Sequence, residues 1–299
     1  MATFARPAFS AKAYAAFRPA YPPSLFRTVL NYHQLPVPSG TLLDLGCGHG
    51  LIARSLRPHF KSVFAIDPSA GMIAQAQQTT TDPEITFRQS SAEDLKFLSD
   101  GSVDMAVAGQ AAHWFDYGKV WPNLARVVRP GGTVAFWGYK DNVLLGAEQV
   151  TEIMEEFIYG FGQVAPGFTG MGPCWEQPGR NILRDLLRSV RPPETEWVDV
   201  KRLEHEPGKD GTEETCWLRK KMRLGEVDSY LRTFSCFNAW KEAHPDHKSR
   251  VEGGDGDVFD VMWDRILDTV PEWKAMGGQW RDVEVVSDWG TYILMAKRR

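Results

Sequence analysis

Asp44, Gly46, Gly48 and Gly50 occupy alternate positions in Leu42-Leu43-Asp44-Leu45-Gly46-Cys47-Gly48-His49-Gly50, and a second carboxylate, Asp67, ends the apolar run Phe64-Ala65-Ile66. Glycines this dense let a ligand reach backbone N–H groups that a Cβ would hold off, and they suit a turn with positive φ. An acid about 20 residues beyond such a turn is placed to accept hydrogen bonds from ribose hydroxyls, so the pair points to a nucleoside. Spacing excludes two common nucleotide motifs. The dinucleotide fingerprint requires glycine where Leu51 stands, and the phosphate loop requires Gly-Lys-Ser/Thr, which is absent. The plain alternative is that Asp44 and Asp67 cap helices. Further along, His113 in Gly109-Gln110-Ala111-Ala112-His113-Trp114-Phe115-Asp116 suits either a general base or a pocket wall. Arg180 and Arg184 offer planar forks that match a carboxylate. His244-Pro245-Asp246-His247 lacks a convincing third ligand, so no metal site is expected.

Strands, turns and helices must alternate to bring these groups together. Apolar runs predict strands at 41–45, 62–66, 84–88, 102–108, 132–139, 196–204 and 283–297, and amphipathic spacing predicts helices near 50–57, 69–79 and 116–128. The expected fold class is α/β, a doubly wound and mostly parallel seven-stranded sheet with a helical insertion over 206–280 before the last strand. Ligands of such sheets sit beyond the carboxyl ends of the strands, where the glycine turn, Asp67, Gln110 and His113 all fall. Ser69 is a natural cap for the helix carrying Met72, which is placed to lie against a flat base. Ser24 is expected to cap an earlier helix, after the prolines of Arg18-Pro19-Ala20-Tyr21-Pro22-Pro23. Helices are also expected over 146–160 and 178–190. One domain spanning 1–299 is expected, with an aromatic arm or lid at 1–38, a ligand-binding core at 39–140 and substrate-side elements at 141–299.

Composition narrows the partners. With 34 basic and 38 acidic residues the net charge is −4, and no basic cluster is dense enough to track a nucleic-acid backbone. Hydrophobic residues make up 43% and aromatics 12%, enough for a sizeable core, and the 11 tryptophans crowd after Trp114 as though walling a pocket. Cys47, Cys174, Cys216 and Cys236 are far apart, which suits reduced thiols in a cytoplasmic protein. Neither a signal-peptide core nor an 18-residue apolar run occurs, so no membrane is expected.

Asp44-x-Gly46-x-Gly48-x-Gly50 followed by Asp67 resembles the first motif of class I S-adenosylmethionine (SAM) methyltransferases. Over nearly its whole length the chain looks like the small-molecule branch of the trans-aconitate methyltransferase type, especially its fungal members. The resemblance rests on Arg18-Pro19-Ala20-Tyr21-Pro22, Ala112-His113-Trp114-Phe115-Asp116, Trp137-Gly138-Tyr139 and Gly172-Pro173-Cys174-Trp175-Glu176-Gln177-Pro178-Gly179-Arg180, with Tyr230-Leu231-Arg232-Thr233-Phe234-Ser235 as a weaker match. Cys174 stands where the family has an aromatic residue, which bears on pocket shape. The resemblance implies SAM as cofactor, with the adenine near Ser91, Ala92 and Glu93. The family's usual acid is replaced by Ser91, so the adenine amino contact passes to Glu93 or Asp94. Arg18 is the candidate for the methionyl carboxylate, and Gln110 lines the cofactor. Tyr14, Trp114, Trp137 and Trp175 are candidate substrate walls, and Arg180 is the candidate substrate clamp.

Methyl transfer from a sulfonium is an in-line displacement that depends on alignment and exclusion of water more than on strong acids or bases. A carboxylate acceptor, with a pKa of about 4, is ionised at neutral pH and needs only cations to hold it. A phenol, enol or amine would profit from His113 as base. The expected activity is therefore methyl ester formation on a small carboxylate. O- or N-methylation of a secondary metabolite or toxic compound is the same-class alternative, and a SAM-binding protein without methyl transfer is the alternative from another class.

Overall fold

The computed structural model describes residues 18–34 and 40–299. In chain order the elements are α1 (Pro23–His33), β1 (Thr41–Leu45), α2 (Leu51–Leu56), β2 (Ser62–Asp67), α3 (Ala70–Gln78), β3 (Ile85–Gln89), β4 (Val103–Gly109), α4 (Tyr117–Val127), β5 (Val128–Leu144), α5 (Glu148–Tyr159), β6 (Gln163–Ala165), β7 (Phe168–Thr169), α6 (Gly179–Arg184), β8 (Trp197–His205), β9 (Arg219–Arg223), α7 (Leu224–Leu231), α8 (Ser235–Ala243), α9 (Val258–Thr269), α10 (Pro271–Lys274) and β10 (Glu284–Arg298). The chain divides into two compact units. One holds Ala20–Asp141, Pro178–Leu218 and Trp289–Arg299, and the other holds Arg18 and Pro19 with Asn142–Gln177 and Arg219–Asp288.

The first unit carries the expected parallel sheet. Strand order is β3-β2-β1-β4-β5-β10-β8, with β1–β2, β2–β3, β1–β4 and β4–β5 parallel and β10 antiparallel to β8. Leu42, Leu43 and Leu45 are buried, as are Met105, Ala106, Val107 and Ala108 in β4. Near-continuous burial is what a strand covered on both faces requires, and it is why these runs are apolar rather than alternating. Ser69 caps α3 by accepting the Met72 N–H, and Asp116 caps α4 by accepting the Gly118 N–H. These match the helix starts read from the chain.

Two local expectations in this unit differ from the structure. Helix α1 begins at Pro23 with Pro22 as its cap residue, rather than after Ser24. Proline fits the first helical position because its missing N–H would have had no partner there. The helix expected over 178–190 stops at Arg184, since Leu186 (φ 52°) and Leu187 (φ 60°) turn left-handed and bury both side chains.

The second unit is mostly helical. Its outlier is β9, which pairs antiparallel with the Glu284–Asp288 part of β10. Buried charge ties its helices together. Arg232, just after α7, donates to Asp228 at 2.9 Å, Asp257 at 2.5 Å and Asp260 at 2.9 Å, while Asp228 also accepts from Arg281 and the Trp263 indole. No helix among the described residues is long and apolar enough to cross a membrane.

Candidate active site

β1 ends in a turn that only glycine suits. Gly46, Gly48 and Gly50 have φ of +69°, +53° and +85°, all in the left-handed region. The turn is closed by Cys47 N–H to the Ile66 carbonyl and Gly50 N–H to the Cys47 carbonyl, both 2.9 Å. Asp67, at the end of the neighbouring strand, docks onto it: Oδ2 accepts the Gly48 N–H at 2.9 Å and Oδ1 accepts the Ser69 N–H at 2.8 Å. Asp44 Oδ2 accepts the Ala53 N–H at 3.1 Å and so anchors the first turn of α2, whose N–H groups lack partners within the helix. The plain capping role is thus real for both acids. It leaves capacity over, because each carboxylate oxygen has two lone pairs and Asp44 Oδ1 has no partner among the described residues.

Burial sets the charge here. Complete burial pushes the Asp44 carboxyl up to about 7, opposed by the Ala53 N–H and reinforced by the charge of Asp67. Burial likewise raises Asp67, opposed by the N–H groups of Ser69 and Gly48. The Cys47 thiol is pushed well up by burial and stays protonated.

Two of the glycines make room for neighbours, and the third leaves open space. A Cβ on Gly46 would lie 2.5 Å from Ala111 Cβ, and one on Gly50 would lie 2.8 Å from both the Arg54 guanidinium and the Phe87 ring. At Gly48 an added Cβ would meet no atom. Arg54 then braces the turn by donating to the His49 carbonyl at 2.8 Å and to Thr80 Oγ1 at 2.9 Å.

The other residues singled out in the sequence fall as follows. Met72 is buried at the start of α3. Ser91 is half-buried and Ala92 buried after β3. Glu93 Oε1 accepts the Asp116 N–H at 3.0 Å, so its carboxylate is engaged at the start of α4. Gln110 follows β4, and its amide bonds the backbone of Tyr139. His113 is buried and packs on Trp114, ring centroids 4.7 Å apart. Gly179 of α6 lies so close that a Cβ there would be 2.6 Å from the Trp114 ring, and Arg180 is the next residue of that helix. Arg180 is 8% exposed and ion-paired to Asp141, which also faces Arg184 Nε at 3.5 Å. Trp137 is fully buried, edge-on to Tyr21 at 5.9 Å and to Phe26 at 6.2 Å.

Arg18 and Trp175 belong to the other unit. Arg18 donates to the Thr233 carbonyl at 3.2 Å and lies 5.4 Å from the Tyr230 and Phe234 ring centres. Trp175 stacks on Tyr159 at 5.5 Å, packs on Phe234 and gives its indole N–H to the Ile158 carbonyl. Tyr14 lies outside the described residues. The sequence reading passed over Trp217, which joins Tyr21 at 5.9 Å and Tyr139 at 6.3 Å. It also passed over Asp141, the partner of Arg180. Neither stands in a periodic pattern; a tryptophan at the end of a polar loop was the one available sign for Trp217.

Residues 43–136 match the family described as "Methyltransferase domain". The Saccharomyces cerevisiae protein "Probable S-adenosylmethionine-dependent methyltransferase CRG1" is 35% identical over 251 residues, covering 79% of this chain and 82% of the yeast protein. A Dictyostelium discoideum protein named as a methyltransferase is 24% identical over 96% of this chain and 92% of its own length. Among solved structures, one from Anaeromyxobacter dehalogenans titled as a type II methyltransferase superposes with a TM-score of 0.61 at 26% identity, covering 94% of this chain and 98% of its own. The fold is the Rossmann-like α/β fold of class I methyltransferases. With its glycine turn, this chain belongs to the S-adenosylmethionine-dependent methyltransferases, and SAM is its cofactor. The turn fits that group: the Asp67 carboxylate docked on it would repel a pyrophosphate, whereas ribose hydroxyls suit its remaining lone pairs.

Proposed function

We propose that this methyltransferase acts on a small molecule and that the acceptor is a carboxylate of the trans-aconitate kind, converted to a methyl ester. Arg180 carries the reading: a guanidinium only 8% exposed, on the helix whose first residue packs against His113 and Trp114. It is already paired with Asp141, so this place tolerates a carboxylate against a buried cation.

When bound, SAM supplies an electrophilic methyl group. The protein's part in this scheme is to hold both reactants and keep water out. The 46–50 turn, whose glycines let a ligand close to the backbone, and the Asp67 carboxylate hold the nucleoside, Met72 and Ala92 flank the base, and Ser91 and Glu93 lie at its edge. Trp114 walls the acceptor, while Arg180 fixes its carboxylate. Orientation of this sort accounts for up to roughly 7–11 kcal/mol of barrier in well-aligned reactions. An ionised carboxylate needs no base, so His113 is then a wall residue. With a phenol or amine acceptor the same histidine, buried beside Trp114 just after β4, is the available base.

Labelled SAM with a panel of acids, phenols and amines tests the proposal. The label should appear as a methyl ester, and Arg180→Ala should raise KM for the acid about tenfold or more with SAM affinity unchanged. An unaltered KM rejects the clamp. His113→Ala should barely slow ester formation yet cost about 10²-fold with a phenol or amine, so equal losses on both contradict this division of roles.

A further inference from the structure

We infer that Gln110 is a positioning residue for methyl transfer: its side chain locks the point at which the chain leaves the sheet and so fixes the turn Ala112–Trp114. The backbone at Gln110 has φ +54°, in the left-handed region that residues with a Cβ seldom adopt. Its N–H donates to the Trp137 carbonyl at 2.9 Å, one step beyond the Gly109–Trp137 register that ends the β4–β5 pairing.

The side-chain amide then turns onto Tyr139, two residues further along β5. Nε2 donates to the Tyr139 carbonyl at 2.8 Å, and Oε1 accepts the Tyr139 N–H at 2.8 Å. In this parallel pair a continuing β4 would meet the Tyr139 N–H and carbonyl from two different residues, and the amide meets both alone. The amide therefore stands in for the backbone that β4 would have offered had it continued. β5 keeps its hydrogen bonds while the chain is released into the site. Gly138 makes this possible, since a Cβ there would lie 2.7 Å from Gln110 Oε1 and 2.6 Å from the Tyr292 hydroxyl.

What the lock positions comes next in the chain. Ala111 sits against Gly46, and the Trp114 N–H returns to the Ala111 carbonyl at 3.0 Å. Ala112 and His113 are buried, and the Tyr117 hydroxyl holds the Ala112 carbonyl at 2.7 Å. A chain leaving β4 at another angle would shift His113 and Trp114 against Gly179. Left-handed backbone at a residue other than glycine persists where its surroundings over-determine it, and such positions cluster at functional sites.

The inference rests on the reading that Ala112–Trp114 faces the acceptor, and is independent of whether that acceptor is a carboxylate. Gln110→Glu keeps the shape and still accepts from Tyr139 N–H, but sets an oxygen against the Tyr139 carbonyl. Gln110→Gly relieves the backbone and removes the amide. Both are made in the full chain, with SAM affinity measured by calorimetry and kcat and KM measured on whichever acceptor the wild type methylates. Positioning predicts that kcat falls by about 10²-fold in both, far more than SAM affinity or KM changes. If Gln110→Gly fails to fold, Gln110→Glu alone decides. An unchanged kcat, or a loss confined to SAM affinity, overturns the inference. Arg180→Ala separates the two readings, because a failed clamp leaves its KM unaltered whatever happens at Gln110.

Discussion

Asp44 shows how burial couples a structural hydrogen bond to charge. Its carboxyl holds α2 through Ala53, and burial raises it to about 7 in the folded protein. The unfolded value is near 4, so the folded chain keeps this proton to higher pH than the unfolded chain does. Its contribution to stability is therefore full below about pH 4 and declines as pH rises through 7, by about 4 kcal/mol at most. Asp44→Asn mimics the protonated acid, with Oδ1 still accepting from Ala53. Without cofactor, the variant should lose less Tm than the wild type between pH 5 and pH 8, and an equal drop in both would contradict the burial argument. Asp44 and Asp67 were legible in the sequence because strand ends fix them relative to the glycines. The pairing of Arg180 with Asp141 was not, since it joins residues far apart in the chain. Gln110 was legible as a residue at a strand end, but a side chain that imitates a peptide group leaves no trace in a pattern.

Among the elements, those with strong periodicity or unbroken apolar runs were readable, and those formed by tertiary pairing were not. β9 reads Arg219-Lys220-Lys221-Met222-Arg223, with only Met222 buried, so nothing in it announces a strand. It exists because β10 offers a free edge over Glu284–Asp288. Similarly, α6 ends early because burying Leu186 and Leu187 requires left-handed turns that no propensity foretells. The helices α7 and α9 fall within the helical insertion expected over 206–280, but the charges that join them were not legible. Arg232 faces three carboxylates, of which Asp228, Asp257 and Asp260 are all buried. Arg232→Met strands Asp257 and Asp260 without this cation, Asp228 keeping Arg281, and should cost about 3–5 kcal/mol, read as a lower urea midpoint. A midpoint equal to that of the wild type would show that the network does not hold these helices.

For the whole molecule, the parallel sheet and the placing of ligand-facing loops at its carboxyl ends followed from alternation of strand and helix, while the strand order came only with the structure. That much of the architecture depends only on short-range pattern and right-handed connection. Acceptor identity depends on side chains drawn from distant segments, and no local pattern records them. The central claim is that SAM is held by the glycine turn and the Asp67 carboxylate. Titration calorimetry of SAM against wild type and Asp67→Ala tests it most directly. The account predicts one site in the wild type and affinity weaker by more than about tenfold in the variant, with two ribose hydrogen bonds lost. Equal affinity in the two proteins, or no binding to the wild type, would contradict it.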